Sequence, residues 1–347
     1  MKVGVLTLNF GEPENATLEE VVPFLEKIFM RNSSLEPDED NAQKRAQQLA
    51  NTRAPELIKE YKKIGGSPLN KDAHNQARML ERELKQRGLN IKCYSGMQFT
   101  DPSIMTAVKK AQSNGIDSLV ALPVYPLCGM STTLSALEDV QAAIDELGWS
   151  VQLREITGWH RHPDYLRLRA DNILEFIRQE GIDLHASDTK LAFSAHGTPI
   201  KYLEDGPRYV KYVEEACFTI AQKLGITEYV IGYQNHSNRK LKWTQPEIST
   251  VINELNAEHV VVEPVSFMHE QSETLSELDH ELRTVAEGVG LKFHRVPIPH
   301  DNPRFAILLA DLVQNALRPE PIMGELGLRR CLCRTNPKTF CLNATNC

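Results

Sequence analysis

The chain has 347 residues, 41% of them hydrophobic and 24% charged, and a formal net charge of −7. That is enough for one large or two medium domains of ordinary globular composition. The acidic balance, with no dense basic block, argues against a nucleic-acid partner, and no run approaches the roughly 18 apolar residues of a spanning helix.

The chain opens on "MKVGVLTLNFGEP". The run is short, lacks a small-x-small cleavage signature and enters a Gly-x-Pro turn, so it reads as a first strand and not a signal peptide. That reading puts the protein in the cytoplasm. Next comes "VVPFLEKIFMRNSS", which sets Phe24, Leu25, Ile28 and Phe29 on one helical stripe. A helix packed on the sheet and an apolar lip over a cleft both fit it, because long insertions in compact domains are often binding elements.

The remaining apolar runs are "IKCYSGMQF", "SLVALPVYP", "VQLREITGW", "KLAFSAHG", "EYVIGYQN", "HVVVEPVSF" and "LKFHRVPI", most of them separated by amphipathic stretches of helix length. Near-continuous apolar strands alternating with helices predict parallel sheets covered on both faces. The expected fold is α/β: two similar Rossmann-like lobes, each a four-stranded parallel sheet flanked by helices. The first lobe spans 1–157, with the apolar insertion around 20–70. The second spans 158–318, its last helix packing on the first lobe, and a cysteine-rich tail covers 319–347.

The lobes resemble each other in sequence. "PVYPLCGMSTTLSALED" from Pro123 and "PVSFMHEQSETLSELDH" from Pro264 coincide at seven positions without a gap, including Ser131/Ser272 and Leu137/Leu278. "SGMQ" (Gly96, Gln98) faces "IGYQ" (Gly232, Gln234), and "NFGEP" faces "AHGTP". The differences carry the chemistry. Where the first half has Phe10, Thr132 and Ala136, the second has His196, Glu273 and Glu277. A helix over "SETLSELDHEL" sets Glu273, Glu277 and then His280 or Glu281 on one face, where like charges repel and weaken it.

No G-x-S-x-G elbow, P-loop or Gly-x-Gly-x-x-Gly occurs. One imidazole with aligned carboxylates suits proton and divalent-metal handling. Beside a broad apolar lip, it points to a large flat apolar ligand that receives a metal. At the far end, "CLCRTNPKTFCLNATNC" concentrates thiols, a pattern that fits zinc or an iron–sulfur cluster.

Taken in order, "NFGEP", "YKKIGGSPL", "LPVYP", "SAHGTP", "YQN…KW…P" and "PVSFMHEQSETLSELD" resemble the ferrochelatases from about residue 3 to residue 315. The resemblance implies insertion of ferrous iron, as substrate, into a porphyrin. By it, His196 and Glu273 face each other as catalytic and iron-holding groups, and Glu277 and Glu281 continue a metal path. Tyr125, Trp243, Phe24, Phe29 and Gln98 line the porphyrin pocket. The lip is left free to rest on a bilayer without spanning it. Some ferrochelatases carry a [2Fe–2S] cluster on such a tail. The ligands this implies are Cys331, Cys333, Cys341 and Cys347, with Cys128 as the substitute for Cys347.

The sequence departs from the family pattern at several points. Gln271 stands where a second histidine is usual, with His269 two positions earlier. Gln98-Phe99 replaces Arg-Tyr, which turns attention to Arg31 or Arg53 for propionates. Glu12 in "GEP" replaces a glycine. A non-catalytic porphyrin carrier, a redox sensor and a chelatase for another metal or tetrapyrrole remain as alternative readings.

Overall fold

The computed structural model describes residues 2–33, 41–204, 206–236, 241–318 and 327–342. All eight expected strands form: β1 (Val3–Asn9), β2 (Lys92–Met97), β3 (Ser118–Pro123), β4 (Gln152–Ile156), β5 (Thr189–His196), β6 (Tyr229–Gln234), β7 (His259–Pro264) and β8 (Lys292–Arg295). The first sheet runs β2-β1-β3-β4 and the second β6-β5-β7-β8, with every one of these pairings parallel. The two orders are the same, as a duplicated unit requires. The middle strands are buried along nearly their whole length, which is why their sequences read as apolar runs and not as alternations.

The glycines matched between the halves do the same work. A Cβ on Gly96 would lie 3.1 Å from the Ile104 Cα, and one on Gly232 would lie 2.6 Å from the Ile248 Cα. Each lets the start of the following helix, α4 or α9 below, sit directly on its strand.

Eleven α-helices cover the sheets among the described residues. In the first lobe these are α1 (Leu18–Arg31), α2 (Ala42–Ile64), α3 (Leu69–Gln86), α4 (Ile104–Ser113) and α5 (Ser135–Glu146). They continue with α6 (Pro163–Glu180), α7 (Lys201–Glu204), α8 (Tyr209–Lys223), α9 (Ile248–Asn253), α10 (Arg283–Gly288) and α11 (Pro303–Leu317). Helix α11 packs against α3 and on β3 and β4 of the first lobe. One core joins the lobes through residues such as Val120, Trp159, Phe193, Val261 and Phe305. Helices α1 and α2 close a separate small core around Phe24, Phe29, Ala50 and Leu57.

The first sheet corrects the four-strand expectation. The tail adds β9 (Arg329–Arg330) and β10 (Thr339–Cys341), giving the order β2-β1-β3-β4-β10-β9. β10 pairs parallel to β4, with Thr339 opposite Glu155, and the Thr157 N–H donates to the Phe340 carbonyl at 2.9 Å. Strands of two and three residues are too short to show a periodicity, so only the edge offered by β4 makes them strands.

The helix expected after β7 is of another kind. Glu273–Leu282 is a π-helix, and its matched segment in the first lobe, Met130–Leu134, is a shorter one. Such helices usually occur as single turns and favour functional sites. The turn is wider than the 3.6 residues of an α-helix, so side chains four apart stand more nearly above one another.

A buried ion pair fixes the segment between β7 and the long π-helix. Arg169 on α6 and Glu263 on β7 are both fully buried and bonded to each other. The remaining guanidinium N–H groups donate to the Phe267 carbonyl at 2.9 Å and the Pro264 carbonyl at 2.8 Å. Removing one partner strands the other charge in the core. Arg169→Met should therefore lower unfolding free energy by about 3–5 kcal/mol in urea titrations, whereas Arg167→Met, on the exposed side of α6, should change it little.

Candidate functional site

In each open parallel sheet the crevice for ligands lies outside the carboxyl ends of the strands, where the strand order reverses. In the second lobe that point falls between β5 and β7. His196 is the last residue of β5, and Glu273 begins the long π-helix after β7. The lobes face each other there, and two adjoining cavities meet at these two residues. The larger encloses about 1190 Å³ of empty space, open solvent included, and the smaller about 820 Å³.

The larger cavity is lined by Phe24, Leu25, Ile28 and Phe29 on one side and by His196, Trp243, Glu273 and Glu277 on the other. The α1 stripe thus packs against α2 and also forms the lip of the cleft. Arg31 and Arg53 stand in the same wall; Arg31 pairs with Asp139, and Arg53 with Glu56 and Glu60. Tyr125 lines the smaller cavity. The Tyr125 hydroxyl and the Trp243 indole N–H are buried polar atoms with no hydrogen-bond partner. Orphaned donors of that kind at a cavity wall mark where a ligand's acceptors would fit. Gln98 is not among the residues lining either cavity; its amide donates to the Ser135 hydroxyl at 3.2 Å.

His196 Nε2 lies 2.9 Å from Glu273 Oε1. Its Nδ1 is 2.5 Å from the Gly197 carbonyl, which fixes Nδ1 as the donor and leaves Nε2 facing the carboxylate. The Ser266 hydroxyl accepts from the His196 N–H at 2.8 Å, and the Tyr209 hydroxyl donates to its carbonyl at 3.0 Å. Burial pushes the imidazole pKa down, but Glu273 and then Glu277 outweigh this and raise it to about 9. Burial likewise works to raise Glu273, and His196 and His236 overcome it, holding Glu273 below the ordinary carboxylate range. The pair is an imidazolium–carboxylate contact near neutral pH.

Glu277, one turn on, is raised to about 8 by burial and by the Glu273 charge. Gln234 at the end of β6 donates to it at 3.1 Å, and to the Glu273 carbonyl at the same distance. Glu281 is exposed at the outer end of the row and interacts with Glu60 of α2. The carboxylates therefore run from the cleft floor to solvent.

Several residues of the site were not assigned from sequence. His236, two residues past Gln234, brings its Nε2 to 3.3 Å from His196 Nε2 and 3.8 Å from Glu273 Oε1. The β5–β6 register, which sets His196 opposite Gln234, is the signal that locates it. Glu12 is buried and accepts from the Tyr61 hydroxyl at 3.2 Å, the Ser272 N–H at 3.1 Å, and the Ser67 and Ser272 hydroxyls. It ties β1, the inserted helices and the start of the π-helix together. Gln271 donates to Glu273 Oε2. His269 lines the smaller cavity but turns its Nε2 to Gln76 Oε1 at 2.6 Å, and burial lowers its pKa to about 3.

The tail meets the body at a second cluster. The Cys331 thiol is within hydrogen-bond reach of Cys341, Cys333 and Thr157, and these contacts, Cys341 foremost, lower its pKa to about 6. Cys128 interacts electrostatically with Cys331 and Cys333, although burial raises its own pKa. Cys347 lies outside the described residues. Cys93 and Cys217 are held in strand and helix, away from this cluster, with pKa values raised by burial. No helix among the described residues is long and apolar enough to cross a membrane.

Comparison with known proteins places the chain in a family. The ferrochelatase family model matches residues 2–317. A ferrochelatase of Synechococcus sp. (strain RCC307) is 34% identical over 337 residues, covering 93% of this chain and 85% of its own. One from Gloeobacter violaceus is 35% identical over 324 residues, covering 90% and 97%. Among solved structures, SirB from Bacillus subtilis with Fe3+ has a similar fold, with a TM-score of 0.52 at 9% identity over 91% of this chain and 95% of that one.

The raised Glu277 pKa has a consequence for stability. A carboxyl raised from 4.5 to about 8 contributes fully below about pH 4.5, and that contribution is lost as pH rises through about 8. Glu277→Gln should therefore lose less thermal stability than the parent between pH 5 and pH 9, read as melting temperature across that range.

Proposed function

The chain belongs to the ferrochelatase family, and on that footing we propose that it inserts Fe2+ into a porphyrin in the cleft between the two lobes. The activity is that of a lyase. The observation that carries the siting is the His196–Glu273 contact, with its row of acids, opening onto an apolar lip in one cavity.

Insertion of a divalent metal releases two pyrrole protons. In this reading the porphyrin lies between the α1 stripe and the His196–Trp243 wall. His196 Nε2, with its single lone pair, takes one pyrrole proton once the cation has passed to the macrocycle, and the Glu273 carboxylate freed with it takes the other. Glu273 and Glu277 hold the incoming cation and pass it inward from Glu281. In the His196–Glu273 contact a proton on His196 occupies the place of a cation's charge. Loading the metal then displaces that proton, as binding to imidazole and carboxylate ligands requires. Arg31 and Arg53 are the groups that would receive the propionate carboxylates, in exchange for their pairings with Asp139 and with Glu56 and Glu60.

The tail reads as the holder of a [2Fe–2S] cluster. Convergence of Cys128, Cys331, Cys333 and Cys341, with one thiol already acidified, is the donor chemistry such a cluster needs. This set puts Cys128 among the ligands. When bound, the cluster would supply a one-electron redox group and a staple between the tail and the segment after β3. The thiols would hold it, and Arg334, paired with Glu155 at 3.3 Å, anchors the loop that presents Cys333.

His196→Ala should lower the rate of anaerobic Fe2+ insertion by ~10²–10⁴-fold. Glu273→Gln should lower turnover far more than Thr132→Val at the matched position. It should also move the acid limb of kcat/KM to lower pH, because it removes the charge that raises His196. Equal rates for parent and His196→Ala would remove His196 from the mechanism. Freshly purified protein should show a broad visible absorption band. Cys128→Ser should abolish the band and Cys347→Ser should retain it; the reverse would return the ligand set to the tail alone.

A further inference from the structure

We infer that His236 is a third protein ligand for the incoming divalent cation, completing with His196 and Glu273 a site of two imidazoles and one carboxylate. The inference rests on the reading of the cleft as the metal-receiving site and adds to it a residue that the two-group picture lacks.

The three ligand atoms, His196 Nε2, His236 Nε2 and Glu273 Oε1, lie within 4.8 Å of one another. Their separations are 3.3 Å between the imidazoles, 2.9 Å from His196 to the carboxylate and 3.8 Å from His236 to it. Donors held about 2.1 Å from one small ion sit about 3.0–3.4 Å apart. The set is thus within a few tenths of an ångström of the spacing one cation requires.

The surroundings orient each donor toward the same point. The Gly197 carbonyl takes His196 Nδ1, leaving Nε2 for the ion. Gln271 takes Glu273 Oε2, leaving Oε1, the oxygen both imidazoles face. The Trp243 ring meets the His236 ring edge to face, with centroids 5.5 Å apart, and the two imidazoles meet at 5.2 Å. All three side chains are partly exposed to the cavity, at 32%, 37% and 20%, so a cation from solvent can reach them.

The donor types decide which cation. Two imidazoles and one carboxylate suit borderline first-row ions, and Fe2+ in particular, over the hard Mg2+ and Ca2+. Three protein donors leave positions on a six-coordinate ion for water and then for pyrrole nitrogens. A site so built can give up its ion as the macrocycle takes it. Without His236 the cation would be held at the cleft floor by a single imidazole and by carboxylate oxygens. With it, the ion is caught before porphyrin nitrogens are available.

Co2+ binding to porphyrin-free protein tests this, by titration calorimetry and by the visible d–d absorption of bound Co2+. Co2+ affinity should fall roughly tenfold or more in His236→Ala and in His236→Gln, and the absorption should change shape with the loss of one nitrogen donor. The circular-dichroism melt should match the parent in both variants, so that the loss reads as a lost donor and not as unfolding. Co2+ affinity unchanged in both His236 variants but lost in His196→Ala would overturn His236 as a ligand and leave the cleft reading standing. Co2+ affinity unchanged in His196→Ala and Glu273→Gln as well would overturn the cleft reading itself.

Discussion

An imidazolium and a carboxylate held in contact at the bottom of an apolar cleft are costly to maintain. Each charge loses water on burial, and the Coulomb gain repays this only if the geometry is fixed and the remaining polar atoms are satisfied. The structure around His196 and Glu273 meets that condition from several directions. The backbone of His196 is bonded on both sides, by Ser266 and Tyr209. Glu273 is held by Gln271 and by the Gln234 bond to its carbonyl. The segment leading to it is clamped by Arg169 and Glu263. On the proposed reading, a cation of the right chemistry takes the place of the proton between the two groups.

That arrangement arises from asymmetry between duplicated halves. Both lobes deliver a strand end, a Gly-x-Pro turn and a π-helix to the same cleft. In the first lobe the matched positions hold Phe10, Thr132 and Ala136, and the π-helix is five residues long. In the second they hold His196, Glu273 and Glu277, and it extends to ten. The first lobe gives its site over to binding surface, and its inserted helices raise the α1 stripe as a wall. The second keeps the ionised groups. Glu12 joins the two by accepting hydrogen bonds from the insertion and from the start of the long π-helix. The matched position in the second lobe is Thr198, so this joint is made from the first lobe's side alone.

Much of this is legible in the sequence, because the features concerned are periodic or repeated. Eight strands show as apolar runs since both faces of their sheets are covered. The duplication shows because matching positions recur in one order. The acidic row shows as a spacing of four. What does not show depends on contacts between distant segments. Nothing in "RRCLC" or "KTFC" marks a strand; β10 exists because β4 leaves an edge. The π-helical turn cannot be told from an α-helical one by hydrophobic period over ten residues. Gln98, matched to Gln234 by sequence, turns toward Ser135, whereas Gln234 reaches the acids of its own lobe.

By itself, the sequence determined the α/β class, the repeated lobe, the apolar lip and the residue types that handle metal and protons. Those depend on patterns within short stretches, which local physics reads directly. Tertiary structure alone decided which ionisable groups share a charge environment. The Cys128 thiol meets the tail thiols because β10 docks beside β4, and His236 meets His196 because β6 lies against β5. Electrostatic coupling falls off over a few ångströms, and separations of 40 or 200 residues along the chain say nothing about distances that short.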